Sequence, residues 1–391
     1  MSARLPRRYW LFSIICLCIL LPLMPKGGIS ALSWETGLRW LYLFLIAFFT
    51  TVISSPLIIK LAHRYDLLDR PDARKMHKTP IPRIGGAAMF LAVWLVFLRN
   101  MVFSTELCGI MAGSSVVFIL GMLDNLLGLS SLTRLFWQIA GSLIVVISGV
   151  RFDFPMHWPG GFYISAVLSV LWLVGIINAF NFMDGIDGLA AGLGTASSLI
   201  LMAVGIWTGQ RDLVFLAASL SGACLGFLLY NWHPAVMFMG DGGSTWLGFL
   251  LGACSLWHGW ATNKPLVSFG APLILLGIPI FDIIYITVSR IRRGVVRSVR
   301  QWLDHVDKDH FHHRLLKLGF TIEQAVAFLV LLNICMGINA LVLVRVQSNF
   351  TAALMVLQST LLFIIVALVM IRRQDDCVSL EAPSKTSETP K

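Results

Sequence analysis

Apolar residues along this chain fall into long unbroken runs, not into the one-sided stripes of soluble helices. Runs of roughly twenty residues lie near 9–25, 38–60, 84–104, 107–127, 132–150, 162–182, 186–207, 212–231, 243–260, 266–289, 323–345 and 351–371. An apolar run of that length is what an α-helix needs to cross the hydrocarbon of a bilayer. The runs at 38–60, 266–289 and 351–371 are the clearest, while those at 107–127 and 243–260 carry polar residues at one end. The pattern predicts an all-α, polytopic integral membrane protein with about 11–12 transmembrane helices. No solenoid repeat, heptad array or separate soluble domain interrupts it. Residues 38–372 read as one polytopic domain. Residues 1–37 add an extra helix and an external loop, and 373–391 form a polar Ser/Thr/Pro-containing cytoplasmic tail expected to be disordered. The first run follows Arg7 and Arg8 as a signal peptide would, but no small-x-small cleavage site follows it, which favours a retained helix.

Composition fits this picture. The 391 residues are 57% apolar and 13% charged, too little charge for a soluble protein of this size. The net charge is +10, and its distribution sets the topology. One basic loop carries Arg64, Arg70, Arg74, Lys75, Lys78 and Arg83. Another carries Arg292, Arg293, Arg297, Arg300, Lys308, Arg314 and Lys317. The positive-inside rule puts both in the cytoplasm, together with Arg4, Arg7 and Arg8. The basic charge thus serves the membrane, and no nucleic-acid partner is expected. The seven cysteines lie mostly inside apolar runs without metal-ligand spacing and read as packing residues.

The polar residues that break the apolar runs carry the candidate chemistry. Asn178, Asn181, Asp184 and Asp187 recur at every third position in the segment 178–192, NAFNFMDGIDGLAAG. Neighbours three apart lie beside one another on a helix. Oxygen ligands in such a ladder suit a hard cation or polar substrate groups. A polar hinge at Gly185 and Gly188 is the plainer reading, but a hinge does not need two acids at membrane depth. The two asparagines also fit as interhelical hydrogen-bond partners. Asp241 lies in the segment 238–249, FMGDGGSTWLGF. There the glycines would let backbone approach a phosphate while the acid holds Mg2+, or else Asp241 simply caps a helix. Asp124 in GMLDN and Asp282 in PIFD complete the set. With the topology above, all of these fall at cytoplasmic helix ends, which points to a site open to that side.

Two basic loops flank the acids. His310, His312 and His313 sit among acids and bases in the segment 309–320, DHFHHRLLKLGF. Their spacing fits no familiar zinc pattern, and histidines beside Arg and Lys suit pyrophosphate or a nucleotide better. A solvated loop is the plain alternative. Arg292 opens the same loop and joins the substrate-binding candidates. In the first loop, Lys75, His77, Lys78 and Arg83, stiffened by Pro80 and Pro82, form an anion-binding surface suited to a lipid phosphate, beyond their role in topology.

Taken together, these segments resemble the polyprenyl-phosphate N-acetylhexosamine-1-phosphate transferases, in the family's order over roughly residues 40–345. The matching pieces are RPDARKMHKTPIPRIGG at 70–86, GMLDN, the 178–192 segment, FMGDGGSTWLGF, PIFD and DHFHHRLLKLGF. The resemblance implies that undecaprenyl phosphate attacks the β-phosphate of a UDP-N-acetylhexosamine, releasing UMP, to initiate cell-surface polysaccharide synthesis such as O-antigen. It implies Mg2+, with Mn2+ as the alternative, at Asp241 and Asp184. Asp124, Asp184, Asp187 and Asp241 are the implied catalytic acids. His310, His312 and His313 are implied at the nucleotide or phosphates, with Asn178, Asn181 and Asp282 as further substrate contacts. The implied setting is the bacterial inner membrane, with the site facing the cytoplasm and a homodimer compatible with it. The His-Phe-His-His pattern looks like the amino-sugar enzymes and not the peptide-bearing MurNAc translocases. GlcNAc is the expected sugar, with GalNAc, FucNAc and QuiNAc as alternatives. The chain departs from the family at Asn125, where the paired motif has a second Asp. That substitution keeps an inactive paralogue in view, and intramembrane acids keep a transporter in view.

Overall fold

A computed structural model of the chain describes residues 7–20, 38–71, 79–100, 103–153, 160–257, 260, 264–294, 310–346 and 348–381. Fourteen helices are described: α1 (Arg7–Leu20), α2 (Arg39–Arg64), α3 (Gly86–Asn100), α4 (Thr105–Leu127), α5 (Ser131–Ile147), α6 (Gly161–Met183) and α7 (Leu189–Thr208), then α8 (Arg211–Asn231), α9 (Gly240–Ser255), α10 (Pro265–Leu275), α11 (Gly277–Arg292), α12 (Phe311–Lys317), α13 (Ile322–Val346) and α14 (Asn349–Glu381). Two residues each of β1 (Leu68–Asp69) and β2 (Ile81–Pro82) pair antiparallel at the base of the first basic loop.

The all-α polytopic expectation holds. Each apolar run coincides with a helix, except that the tenth is two helices, α10 and α11, bent by 82°. Pro272 inside α10 removes a backbone donor, which weakens the helix there. Seven described helices are long and apolar enough to cross a membrane, or eight if the bent pair makes one span. Shorter apolar helices, among them α1, α3 and α5, accompany these among the described residues. α3 has 15 residues and α5 has 17, so at about 1.5 Å per residue they fall short of a hydrocarbon core of roughly 30 Å. Polar and loop residues had lengthened those runs.

The helices α7 and α8 form the centre, with most of each apolar stretch buried, whereas α14 and α6 turn large apolar side chains outward. Small residues set the closest approaches. A Cβ on Gly222 or Gly226 of α8 would stand 2.2 or 2.8 Å from the Phe44 and Phe48 carbonyls of α2. A Cβ on Gly248 of α9 would stand 2.8 Å from the Ile176 carbonyl of α6. Glycine at such positions lets helices pack where hydrophobic exclusion supplies no force between them. The result gathers the starts of α3, α5, α7 and α9 and the ends of α4, α6 and α8 at one end of the bundle.

Candidate active site

At that end a cleft opens between α4, α5, α6 and α9. Its polar lining is Asp124, Ser131, Arg134, Gln138, Asn178, Asn181, Asp241 and Thr245. Asp124 sits on the last turn of α4, which ends at Gly128 in the left-handed region, φ 61°. The tight turn folds α5 back so that Leu129 N donates to Asp124 Oδ1 at 2.7 Å and Arg134 Nη1 to Oδ2 at 3.1 Å. Asp124 is thereby buried as an ion pair. Across the cleft, Asn178 donates to Gln138 Oε1 at 2.8 Å, and Asn181 Oδ1 accepts from Ser244 Oγ at 2.7 Å.

Asp241 enters from the first turn of α9. The glycines that follow it serve close helix packing. A Cβ on Gly86 would meet Gly243 Cα at 2.3 Å, and one on Gly121 would meet Gly242 Cα at 2.5 Å. The approach segment is laced to the first loop: Phe238 N donates to Pro82 O, Gly85 N to Phe238 O and Gly86 N to Met239 O, all within 2.8–2.9 Å. Arg83 leaves this seam to donate to the backbone carbonyl of Asn125.

Asp184 and Asp187 occupy the break between α6 and α7, where Gly188 has φ 81°. Asn231 pins this break to the approach segment: its Oδ1 accepts from Gly188 N and its Nδ2 donates to Met237 O, each at 3.0 Å. Asp187 Oδ2 accepts from Ala235 N at 2.9 Å and contacts His233 Nδ1 at 2.7 Å. Burial, and then the neighbouring Asp241 and Asp187 carboxylates, push the Asp184 carboxyl well above its usual range, against a backbone N–H of Gly240. Such half-buried like charges at close quarters call for a positive partner.

The histidine segment reaches the site on α12. Asp282 of α11 anchors it, with Oδ2 at 2.8 Å from His310 Nδ1 and Oδ1 accepting from Phe311 N at 2.6 Å. His310 packs on Phe182, a wall of the cleft. His312 is wholly buried, with neither ring nitrogen hydrogen-bonded among the described residues. Its Nε2 lies against Gly185, where a Cβ would approach to 2.3 Å. Burial, then His313 and His310, hold its pKa well below the ordinary value, so the ring is neutral.

The structure therefore brings Asp124, Asn178, Asn181 and Asp241 to one cleft, Asp184 beside Asp241, and Asp187 and the histidines around that pair. Asp282 is buried with both oxygens engaged by α12, so it positions His310. Arg292 ends α11 exposed, and no described contact joins it to the cleft. Lys75, His77 and Lys78 lie outside the described residues. Sequence reasoning missed Arg134, Gln138, Asn231 and His233. Arg134 and Gln138 had a usable signal: two polar residues four apart on one face of an apolar helix.

Metal fit is decided by the acids. Among the described residues no three His, Cys, Asp or Glu side chains converge as a complete cage. Asp184 nevertheless lies close enough to Asp241 for that carboxylate's charge to raise it. One or two carboxylates completed by substrate phosphates is how Mg2+ is usually held, so the residues fit that ion.

Comparison with known proteins places this arrangement. Residues 107–259 match the profile of glycosyl transferase family 4. A Bacillus subtilis protein named probable undecaprenyl-phosphate N-acetylglucosaminyl 1-phosphate transferase is 32% identical over 320 residues, covering 79% of this chain and 86% of its own. The chain belongs to glycosyl transferase family 4. A Mycobacterium tuberculosis decaprenyl-phosphate N-acetylglucosaminephosphotransferase is 32% identical across 90% of this chain and 95% of its own. The undecaprenyl-phosphate alpha-N-acetylglucosaminyl 1-phosphate transferase of Escherichia coli K12 is 27% identical across 70% and 75%. As a member of glycosyl transferase family 4, the protein is a multi-pass membrane phosphotransferase, and the matched segment contains the cleft from α4 to α9.

Proposed function

We propose that the protein transfers N-acetylhexosamine 1-phosphate, with GlcNAc as the sugar, from a UDP-sugar to undecaprenyl phosphate, releasing UMP. The reaction would begin cell-surface polysaccharide synthesis at the cytoplasmic face of the bacterial inner membrane. One observation carries the reading: Asp241 lines a cleft that also holds Arg134, and the half-buried Asp184 lies close enough for the Asp241 charge to raise it. The names of the relatives support a polyprenyl phosphate acceptor and an N-acetylglucosaminyl phosphate donor group.

In this reaction an oxygen of the lipid phosphate attacks the β-phosphorus of the sugar nucleotide. The bond from that phosphorus to the bridging oxygen breaks, and the bridging oxygen leaves on UMP. Asp241 and Asp184 would hold Mg2+, which supplies positive charge against the diphosphate when bound. Arg134 and Arg83, whose charges both act on Asp241, sit where they can offset anionic phosphate on the other side. Asp124 holds Arg134 in place and needs to remove no proton, because a lipid phosphate is largely ionised at neutral pH. The neutral His312 offers one N–H donor and one acceptor where the α6–α7 break meets α12. Catalysis of this kind rests on positioning and charge neutralisation.

The test uses membranes carrying the protein, undecaprenyl phosphate, Mg2+ and a panel of UDP-N-acetylhexosamines, with UMP as the readout. Sugar-dependent UMP that disappears in Asp241→Ala is the expected result. No UMP from folded protein with any sugar would overturn the proposal.

A further inference from the structure

A second polar cluster lies at the other end of the bundle. Arg39 opens α2 and Asn100 ends α3. Since Gly86 at the start of α3 touches the Asp241 turn, this cluster is about 21 Å away along α3, at about 1.5 Å per residue. Arg39 is 6% exposed, Tyr42 1% and Asn100 8%. Arg39 Nη2 donates to Asn100 Oδ1, and Asn100 Nδ2 donates to Val96 O at 2.7 Å. The guanidinium lies 5.2 Å from the Tyr42 ring centre. Arg39 Nε, Arg39 Nη1 and Tyr42 Oη are all buried and have no hydrogen-bonding partner among the described residues. Among the described residues no carboxylate forms an ion pair with Arg39. The Arg99 charge acts on the same phenol.

Three buried hydrogen-bonding groups left unmatched at one spot are costly, and native proteins rarely leave such groups so. The shared deficit is of acceptors and negative charge, because an arginine only donates and a phenol donates readily. Apolar packing cannot meet it, and a single water would meet it only in part. An oxyanion with several acceptor oxygens meets it fully, and guanidinium is the side chain best suited to phosphate. The position at a helix end, among lipid-facing helices, suits a headgroup.

We infer that Arg39, Tyr42 and Asn100 form a binding site for a phosphate-bearing anion at the membrane end opposite the acidic cleft. Two sources share that chemistry, a phospholipid headgroup and free phosphate. Full-length protein in a neutral detergent is titrated with phosphatidylglycerol, with a phosphate-free galactosyl diacylglycerol, and with inorganic phosphate, and the thermal unfolding midpoint is followed. Phosphatidylglycerol should raise the midpoint where the galactolipid does not, and Arg39→Gln should abolish that difference. A shift reproduced by inorganic phosphate supports the site with soluble phosphate as its source. A shift with phosphatidylglycerol alone supports the site with the headgroup as its source. Arg39→Gln also disturbs the Asn100 contact, so Tyr42→Phe serves as the second variant. It removes one hydroxyl, keeps the ring, and should weaken the apparent affinity about tenfold. No phosphate-dependent shift in the unmodified protein, or a shift that both variants retain in full, overturns the inference.

Discussion

Asp187 and Asp282 each hold a histidine through Nδ1, at 2.7 and 2.8 Å, and each also accepts a backbone N–H just beyond it, from Ala235 and from Phe311. The two pairs differ in what surrounds them. The side chains of Asp282 and His310 are 1% and 11% exposed, whereas those of Asp187 and His233 are 18% and 32% exposed. The buried pair ties a separate helix, α12, to α11. The open pair ties the α6–α7 break to the loop after α8, a junction that Asn231 already clamps. The same contact is therefore the polar tie of a helix otherwise held by Phe281–Phe311 and Arg314–Tyr285 ring contacts in one place, and a reinforcement of an amide clamp in the other. Each carboxylate also favours the tautomer in which its histidine Nδ1–H donates to it, which leaves Nε2 for other work.

The sharpest way to break this comparison is Asp282→Ala. It leaves the Phe311 N–H and the His310 ring unmatched in a buried setting and frees α12 to move. We expect a loss of about 3 kcal/mol of stability, as for two buried hydrogen bonds to a charged group. We also expect roughly a hundredfold loss of UMP release as the histidines leave the cleft wall. Asp282→Asn keeps an acceptor for Phe311 N and should retain most of the stability while losing turnover through the changed His310 tautomer. Thermal unfolding in detergent beside the UMP assay separates the two effects. Equal activity in both variants and the parent would show that α12 needs no anchor.

Gly185→Ala tests the point where the two regions meet. The added methyl would stand 2.3 Å from His312 Nε2, so α12 or the break must shift. Overpacking of this kind costs about 1–3 kcal/mol, and activity should fall about thirtyfold. A methyl on Gly175 would meet nothing within 4 Å, so Gly175→Ala is the matched control and should behave as the parent. His233→Gln probes the reinforcing pair and should be milder. A glutamine can still donate to Asp187, Ala235 N and the Asn231 clamp remain, and turnover should drop about fivefold, roughly 1 kcal/mol. A drop as large as that of Asp282→Ala would place His233 among the groups that touch substrate.

Helices were legible from the chain because a bilayer demands long apolar runs and the residues supply them. The 82° break between α10 and α11 was not read, although Pro272, Gly277 and Pro279 cluster there, because both halves are apolar. The acids of the cleft were legible because a carboxylate at membrane depth needs a reason. Arg134 escaped notice because a lone basic residue at a helix start reads as topology. His233 escaped because its partner lies 46 residues away, and the positioning role of Asp282 was missed because its contacts lie 28 and 29 residues on. Types and spacing reveal that a group has work to do, and only the tertiary contacts say for whom.

Asn125 gives the smallest expected effect and the finest test of that distinction. Its amide is not part of the cleft lining. Its backbone carbonyl accepts from Arg83, and its Nδ2 is buried without a partner among the described residues, 3.3 Å from where a Cβ on Gly240 would stand. Asn125→Asp removes that unmatched donor, which favours the variant. It also adds a carboxylate whose cost is set by two opposed neighbours: Arg83, which would attract it, and the Asp241 turn, which would repel it. These effects oppose one another, so turnover should stay within about twofold of the parent and the unfolding midpoint should barely move. A tenfold rise in UMP release would mean that this position works through charge, as the cleft acids do, and that the asparagine impairs the enzyme. An unchanged rate would mean that the position belongs to the packing seam between Arg83 and Gly240, where an amide and a carboxylate serve alike.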